Sequence, residues 1–472
     1  MGLRALPTAL FFSATAGLTL MAATPTAPKG ADGYWGQWRG PLNTGEAPRA
    51  NPPLEWSEEK NVRWKVEVPG RGLSTPLVWN DLVFVTTAVP AAMAGGSKAV
   101  AAPAPAPAPA AGTPPTGAPP AGGPPAGGRP GGGPPVVKPD GKVEFVVQAH
   151  NRSDGKIRWR KVLKELLPHE GTHKDGSYAS GSAVTDGERL FAYFGSRGLY
   201  ALDFQGKVLW ETQLGSMQTR NGFGEGSSPA LFGDTLVVTW DHEGQDFVVA
   251  LDKKTGKERW RTDRDEPTTW ATPLVVTPGG KAQVVTSGTN RVRSYDLASG
   301  KLVWEANGLT QNVIPSPVSA GEMVYLMSGF RGNALLAVRL ADAQGDITGK
   351  PAIAWSYDKD TPYVPSPLLY KDALYFLKSN SAVLTRIDVG TGKPSYTQRL
   401  EGMTNVYASP VGAAGRVYVA GRDGVTVVLE AGPEPKVLAT NTLGDGFDAS
   451  PAVVDGEMYL RGQKYLYRVS KD

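Results

Sequence analysis

The sequence predicts an all-β fold, an eight-bladed β-propeller of four-stranded antiparallel blades, on three observations. Eight short apolar segments open at or near a Ser-Pro or Thr-Pro pair, at Pro76, Pro229, Pro273, Pro317, Pro367, Pro410 and Pro451, with Ser182 holding the proline place in the second copy. From Ser182 onward they recur every 41 to 50 residues, the length of one four-stranded blade. A second phrase, fullest as Ala250-Leu-Asp-Lys-Lys-Thr-Gly-Lys-Glu-Arg-Trp260, follows in most copies. Finally, the eighth copy stops at its third strand, Tyr465 to Val469, while an unmatched strand, Asn61 to Val68, stands near the N-terminus. Pairing the two closes the ring and removes two sheet edges.

Taken in order, residues 1–27 read as an export signal: Arg4 is the only charge ahead of a run of small and apolar residues ending near Ala27. Pro7 and the interspersed Ser and Thr make that run a poor spanning helix, so the expected product is an exported, soluble, periplasmic or extracellular monomer without stable membrane insertion. Residues 28–60 form an N-terminal strap, and 61–472 the propeller. Blade one is interrupted at about 89–142 by an insertion that between Ala99 and Pro135 is almost wholly Ala, Pro and Gly, with Arg129 its only charge. Such a sequence cannot bury a core and is expected to be disordered. Halving a flexible loop changes closure entropy by about 0.6 kcal/mol. Deleting 99–135 with a short Gly-Ser connector should therefore leave the melting temperature unchanged.

Within a blade, Asp followed by Thr-Gly or Ser-Gly between apolar runs is hairpin chemistry, the carboxylate accepting from the turn and glycine supplying positive φ. Each phrase is thus third strand, turn and outer strand. Trp159, Trp210, Trp260 and Trp304 sit four residues past the glycine, and Trp355 is displaced by a longer turn. With Trp64 on the closing strand, these rings are expected to pack between neighbouring blades rather than bind ligand, because outer strands lie far from the axis.

Loops joining strands two and three share a face with the loops joining successive blades. The former carry Arg197, Arg291, Arg331, Lys378, Arg422 and Arg461; the latter supply Glu225, Asp265, Glu266, Asn312, Asp360, Asn405 and Asp448. Two readings stay open. The charges satisfy one another, or unpaired arginines face the channel and clamp a small anionic ligand or an acidic partner protein. His169-Glu-Gly-Thr-His173 fits the H-E-x-x-H zinc pattern, but Pro168 and Gly171 argue against the helix it needs. A weak metal alternative gathers His169, His173 and His242. The net charge of +4 is spread without a basic tract, which argues against nucleic acid. No cysteine is present, which excludes disulfides, covalently attached haem and a lipid-modified cysteine.

The repeated A-x-D-x-x-T-G-K-x-x-W phrase resembles the tryptophan-docking repeat of pyrroloquinoline quinone (PQQ) propellers, over roughly residues 61–472. Trp35-Gly-Gln-Trp-Arg-Gly-Pro41, Thr219-Arg-Asn-Gly-Phe-Gly-Glu-Gly-Ser-Ser-Pro229 and Asp360-Thr-Pro-Tyr-Val-Pro-Ser-Pro367 resemble stretches of exported bacterial PQQ-like repeat proteins. That resemblance implies either of two activities. One is a non-catalytic binding scaffold, like the propeller lipoprotein of outer-membrane protein assembly, with no cofactor and no catalytic residue. The other is a PQQ-dependent dehydrogenase, with quinone and calcium in the funnel and Glu225, Asn312 and Asp448 as ligands by position. The adjacent cysteines of the dehydrogenases and the anchoring cysteine of the lipoprotein are both missing.

Overall fold

The computed structural model describes residues 2, 30–94 and 136–471, and within them the propeller has eight blades. Residues 1 and 3–29, most of the expected signal, and 95–135, with the Ala/Pro/Gly tract, lie outside the described residues. Blade one comprises Leu77–Trp79, Leu82–Pro90, Val143–Asn151 and Ile157–Leu166, so its middle strands run longer than the repeat phase indicates. Blades two, three, six and seven are four consecutive antiparallel strands each. Blade four gains a fifth, Gly345–Asp346, lent by the long third turn of blade five and parallel to Leu302–Ala306. Blade eight closes as the sequence predicts: Val62–Glu67 pairs antiparallel with Tyr465–Ser470.

The Ser/Thr-Pro signature has a structural reason. Around the axis seven of these eight residues donate the backbone N–H to the hydroxyl of the counterpart in the next blade. The ring runs Thr75 to Ser182, Ser228, Thr272, Ser316, Ser366, Ser409 and Ser450, at 2.8 to 3.0 Å. The Thr75 hydroxyl completes it by donating to the Ser450 carbonyl at 3.0 Å. Buried N–H groups at the inner strands are satisfied there without a β-ladder. The ring also corrects one register. Ser182 takes the place of the hydroxyl residue, not of the proline, which Ala183 replaces, and Phe191 then falls eight positions on, where six of the other seven copies carry an aromatic residue or valine.

Blades join through the tryptophans. The indole N–H of Trp64, Trp159, Trp210, Trp260 and Trp355 donates to the carbonyl of Arg152, Phe204, Lys253, Leu297 and Val389, respectively, at 2.8 to 3.1 Å. Each acceptor follows the Asp or Asn that opens the next blade's turn. The turn glycine lies under the ring, where a Cβ at Gly155, Gly206, Gly256, Gly300 or Gly392 would come within 2.9 Å of it. Trp304 is the exception. It is fully buried, but blade five has no tight turn to receive it, and its N–H finds no acceptor. Leu340, Ala343 and Ile347 of the long turn cover it instead.

The strap crosses the face opposite the inter-blade loops. Trp35 exchanges hydrogen bonds with Val78, Gly36 accepts from Thr185, and Gly45 and Ala47 bracket Gly412. Arg39 is buried, and one Nη donates to the carbonyls of Pro367 and Pro410 at 2.9 Å, tying the strap to blades six and seven. Further along, Trp56 stacks on Tyr418 at 6.4 Å between centroids. The blade tryptophans meet their own second-strand aromatics in a similar way, Trp159 with Phe84 and Trp355 with Tyr325 at 5.9 and 5.8 Å. In blade seven the outer-strand position is only Ala439, opposite Val428. Trp56 therefore supplies the aromatic that blade seven lacks.

Between blades eight and one lies His150, fully buried, with Nδ1 against the Gly155 carbonyl at 2.9 Å and Nε2 against Gln148 Oε1 at 3.2 Å. Burial lowers its pKa below the usual imidazole value, against the Gly155 carbonyl and with help from Arg461. The fold therefore favours the neutral ring. Stability from this group is present above the unfolded pKa near 6.5 and is lost as pH falls below it, because the unfolded chain takes up the proton first. Thermal melts of the parent should decline from about pH 6.5 downward, and His150→Gln should flatten that limb. An identical pH profile in the variant would assign the decline to other groups.

Candidate functional site

On the face of the inter-blade loops a cavity of about 420 Å³ opens around the axis. Its wall carries Trp38, Phe223, Trp270, Phe330, Tyr363 and Tyr407, with Leu73, Ile314 and Val364. Serines 182, 228, 409 and 450 of the axial ring reach it, and Asp175, Glu225, Asp448, Asn312 and His173 are its polar members. Trp38 of the strap also lines a second cavity of about 380 Å³ that opens between the strap and blades two to four, so this one ring separates the two spaces. The wall is rigidly held. Trp270 donates to the Gly224 carbonyl at 2.7 Å, and Phe330 stacks on Tyr363 at 4.8 Å.

The acids are tied into the loops. Glu225 accepts from the Ser196 N–H and hydroxyl at 2.6 and 2.7 Å, and from Arg197 at 2.7 Å. Asp175 pairs with Arg422 at 3.0 Å and Lys174 at 3.1 Å. Burial works to raise its pKa, yet these two cations hold it below the usual carboxylate value. Asp448 lies 2.6 Å from Arg422 Nε, in a geometry too bent for a hydrogen bond, and its Oδ2 has no hydrogen-bond partner. Burial raises its pKa despite Arg422 and Arg71.

The six cations do not converge on the channel, and none of them lines the cavity. Arg197 is buried behind Glu225, over the rings of Tyr178 and Phe145. Arg291 turns outward to Asp346 and Glu305, at 3.0 and 3.4 Å. Lys378 pairs with Asp360 at 2.8 Å, and Arg422 lies over Tyr407 at 4.3 Å while holding Asp175 and Asp448. Arg331 is exposed beside Phe330. Arg461 is 1% exposed inside the blade wall, none of its nitrogens hydrogen-bonded, and burial lowers its pKa to about 10. Of the expected ligand-binding set, Glu225 and Asp448 reach the cavity. A surplus of positive charge facing it is not what the loops build.

The histidines stay apart as well. His169 Nε2 meets the Met217 carbonyl at 2.7 Å, His173 Nδ1 accepts from the Asp175 N–H at 3.2 Å, and His242 closes its own loop against Gln218, Gly244 and Gln245. The His-Glu-Gly-Thr-His stretch is extended, with Thr172–His173 paired to Val136–Val137, so no helix presents both imidazoles. His169, Glu170 and Glu225 do come close enough to share an ion, but Glu170 already accepts from Thr219 and Glu225 from Ser196 and Arg197.

Composition did not single out the aromatic wall, but its signal was in the sequence. Trp38, Phe223 and Tyr363 each fall in one of the three stretches that resemble exported PQQ-like proteins.

An eight-bladed propeller with tryptophan-docked blades and a central funnel bordered by the strap defines the class. The chain belongs to the PQQ-repeat family of outer membrane protein assembly factor BamB, whose profile matches residues 143–239, 215–345 and 244–471. Among solved structures it is similar to BamB from Moraxella catarrhalis, at 15% identity over 71% of this chain and 95% of that one, with a TM-score of 0.50. It is also similar to the quinohemoprotein alcohol dehydrogenase from Comamonas testosteroni, at 11% identity over 93% and 80% of the two chains and a TM-score of 0.58. The quinohemoprotein alcohol dehydrogenase ADHIIG from Pseudomonas putida HK5 aligns at 11% identity over 95% and 83%, with a TM-score of 0.56. At these identities the likeness carries the fold alone. No curated protein matches the sequence. Among the described residues no helix is long and apolar enough to cross a membrane.

Proposed function

We propose that this chain is an exported, non-catalytic binding propeller that engages a partner protein at the funnel cavity. The observation that carries the reading is the cavity itself: concave, aromatic, opening on the loop face and bordered on the strap side by Trp38. Its serines 182, 228, 409 and 450 serve the axial ring, and its carboxylates are held by loop donors and by arginines. That arrangement supports a stiff receptor surface rather than a poised nucleophile and base. Membership of the BamB family supports a protein partner. The test is a photo-crosslinking residue placed at Val364 on the wall and, separately, at Ile157 on the outer perimeter of the exported protein. Crosslinks formed at 364 and not at 157 are expected; the reverse pattern ends the reading. Export itself is checked by fractionation and by the N-terminal sequence of the mature protein.

A PQQ-dependent oxidoreductase is the second reading, favoured by Glu225, Asn312 and Asp448 sharing one wall. The donor set does not fit that group. Both Glu225 oxygens are occupied, and a quinone bearing three carboxylates meets three acids and no lining Lys or Arg. Protein incubated with PQQ and calcium should gain neither bound near-ultraviolet absorbance nor dye reduction, and either gain would restore the oxidoreductase.

A further inference from the structure

We propose that the funnel cavity takes a basic side chain, arginine or lysine, presented by the partner polypeptide. This rests on the funnel-binding reading and reverses the ligand charge expected from the sequence. The first ground is charge. The wall carries Asp175, Glu225 and Asp448 with no lysine or arginine, while Arg197 and Arg422 stand behind it, already engaged with those acids.

The second ground is independent of net charge. Asn312 is 5% exposed and its Oδ1 has no partner; Asp448 is 8% exposed and its Oδ2 has none. Both residues line the cavity, and both orphans are acceptors. A buried acceptor without a donor is costly, so the group that belongs here brings N–H donors. A carboxylate or phosphate would bring only more acceptors. A guanidinium or ammonium brings the N–H donors that each of these oxygens lacks.

Third, aromatic faces attract such cations, and the site already shows the pairing in Arg422, which lies 4.3 Å over Tyr407. Leu73 and Ile314 give the wall apolar surface that suits the aliphatic stem of a long basic side chain. A small free ammonium ion has no such stem, which favours a side chain carried by a polypeptide.

The experiment is a calorimetric titration of the full mature protein with three blocked tripeptide amides, Gly-Arg-Gly, Gly-Lys-Gly and Gly-Glu-Gly, and with tetramethylammonium. The basic peptides should bind at least tenfold more tightly than the glutamate peptide. Asn312→Leu and Asp448→Asn should each weaken the basic peptides about tenfold. Because Asp448→Asn also disturbs Arg422, Phe330→Ala on the half-buried wall is the second variant, with the same loss expected and melting curves confirming its fold. A glutamate peptide that binds as well as or better than the basic ones overturns the inference while leaving a funnel receptor. Tetramethylammonium binding as tightly as the peptides overturns the polypeptide source. Absence of binding by all probes also overturns the inference, and the crosslinks at Val364 then decide the funnel reading separately.

Discussion

Replacing Trp56 with alanine is expected to destabilise the propeller by about 3 to 5 kcal/mol, although the residue lies in the strap outside every blade. The indole is 3% exposed and stacks on Tyr418, the second-strand aromatic of blade seven. In blades one to five the outer-strand tryptophan opposes a small third-strand residue at this point, as Ala201 opposes Trp210 and Ala337 opposes Trp355, whereas Trp64 of blade eight opposes Arg468. In blade seven the opposing pair is Val428 and Ala439, and the space that a tryptophan at 439 would fill holds Trp56. The strap is fixed beside it, the Trp56 backbone N–H donating to Asn441 Oδ1 at 2.8 Å and Asn441 Nδ2 to the Leu54 carbonyl at 3.1 Å. Two tryptophans cannot share the site, so Ala439→Trp alone should cost about 1 to 3 kcal/mol by overpacking. Combined with Trp56→Ala, it should recover much of the loss, a strong departure from additivity. Denaturant melts of the three variants decide the matter. Losses that simply add would show that Trp56 stands somewhere other than the vacant docking position.

That substitution could not be read from the repeat, because Trp56 occurs once, in a non-repeating segment. What the repeat did reveal was whatever the chain does eight times. The blade number, the closing strand at Val62–Glu67 and five docking tryptophans all follow from spacing, because a period fixes where a residue sits within its blade. Spacing does not fix where a long side chain points. Arg197, Arg291 and Arg461 hold equivalent places in the sequence, yet one pairs behind the cavity wall, one turns to the perimeter and one is buried between strands. Each outcome depends on a neighbour peculiar to its blade: Glu225 for the first, the lent strand with Asp346 for the second, the enclosing blade wall for the third. The axial ring lay between these extremes. Its Ser/Thr-Pro pairs are visible in the sequence, but only closure around an axis shows that the hydroxyl, and not the proline, is the constant element, so a register keyed to proline sets Ser182 one position off.

At the joint of blades three and four, Trp260→Ala should cost about 3 kcal/mol, the low end for a tryptophan because its ring is only half-buried. Its Nε1 donates to the Leu297 carbonyl at 2.8 Å, and its six-membered ring rests on Gly300. A Cβ at Gly300 would stand 2.5 Å from the ring, and the glycine sits at φ 72°, in the left-handed region. Gly300→Ala therefore meets two separate penalties, about 1 to 2 kcal/mol for the backbone conformation and about 1 to 3 kcal/mol for pushing the indole aside. The first belongs to the residue alone; the second exists only while the ring is there. In the Trp260→Ala background the same substitution should then cost only its backbone part, so the double variant should be more stable than the sum of the singles predicts by about 1 to 3 kcal/mol. Equilibrium unfolding of the four proteins measures this coupling directly. Strict additivity would mean that the ring does not rest on the glycine and that the Thr-Gly turn is retained for its hairpin geometry alone. Coupling of the expected size would show why the turn and the tryptophan recur together: the turn of one blade is the floor for the indole of the blade before it.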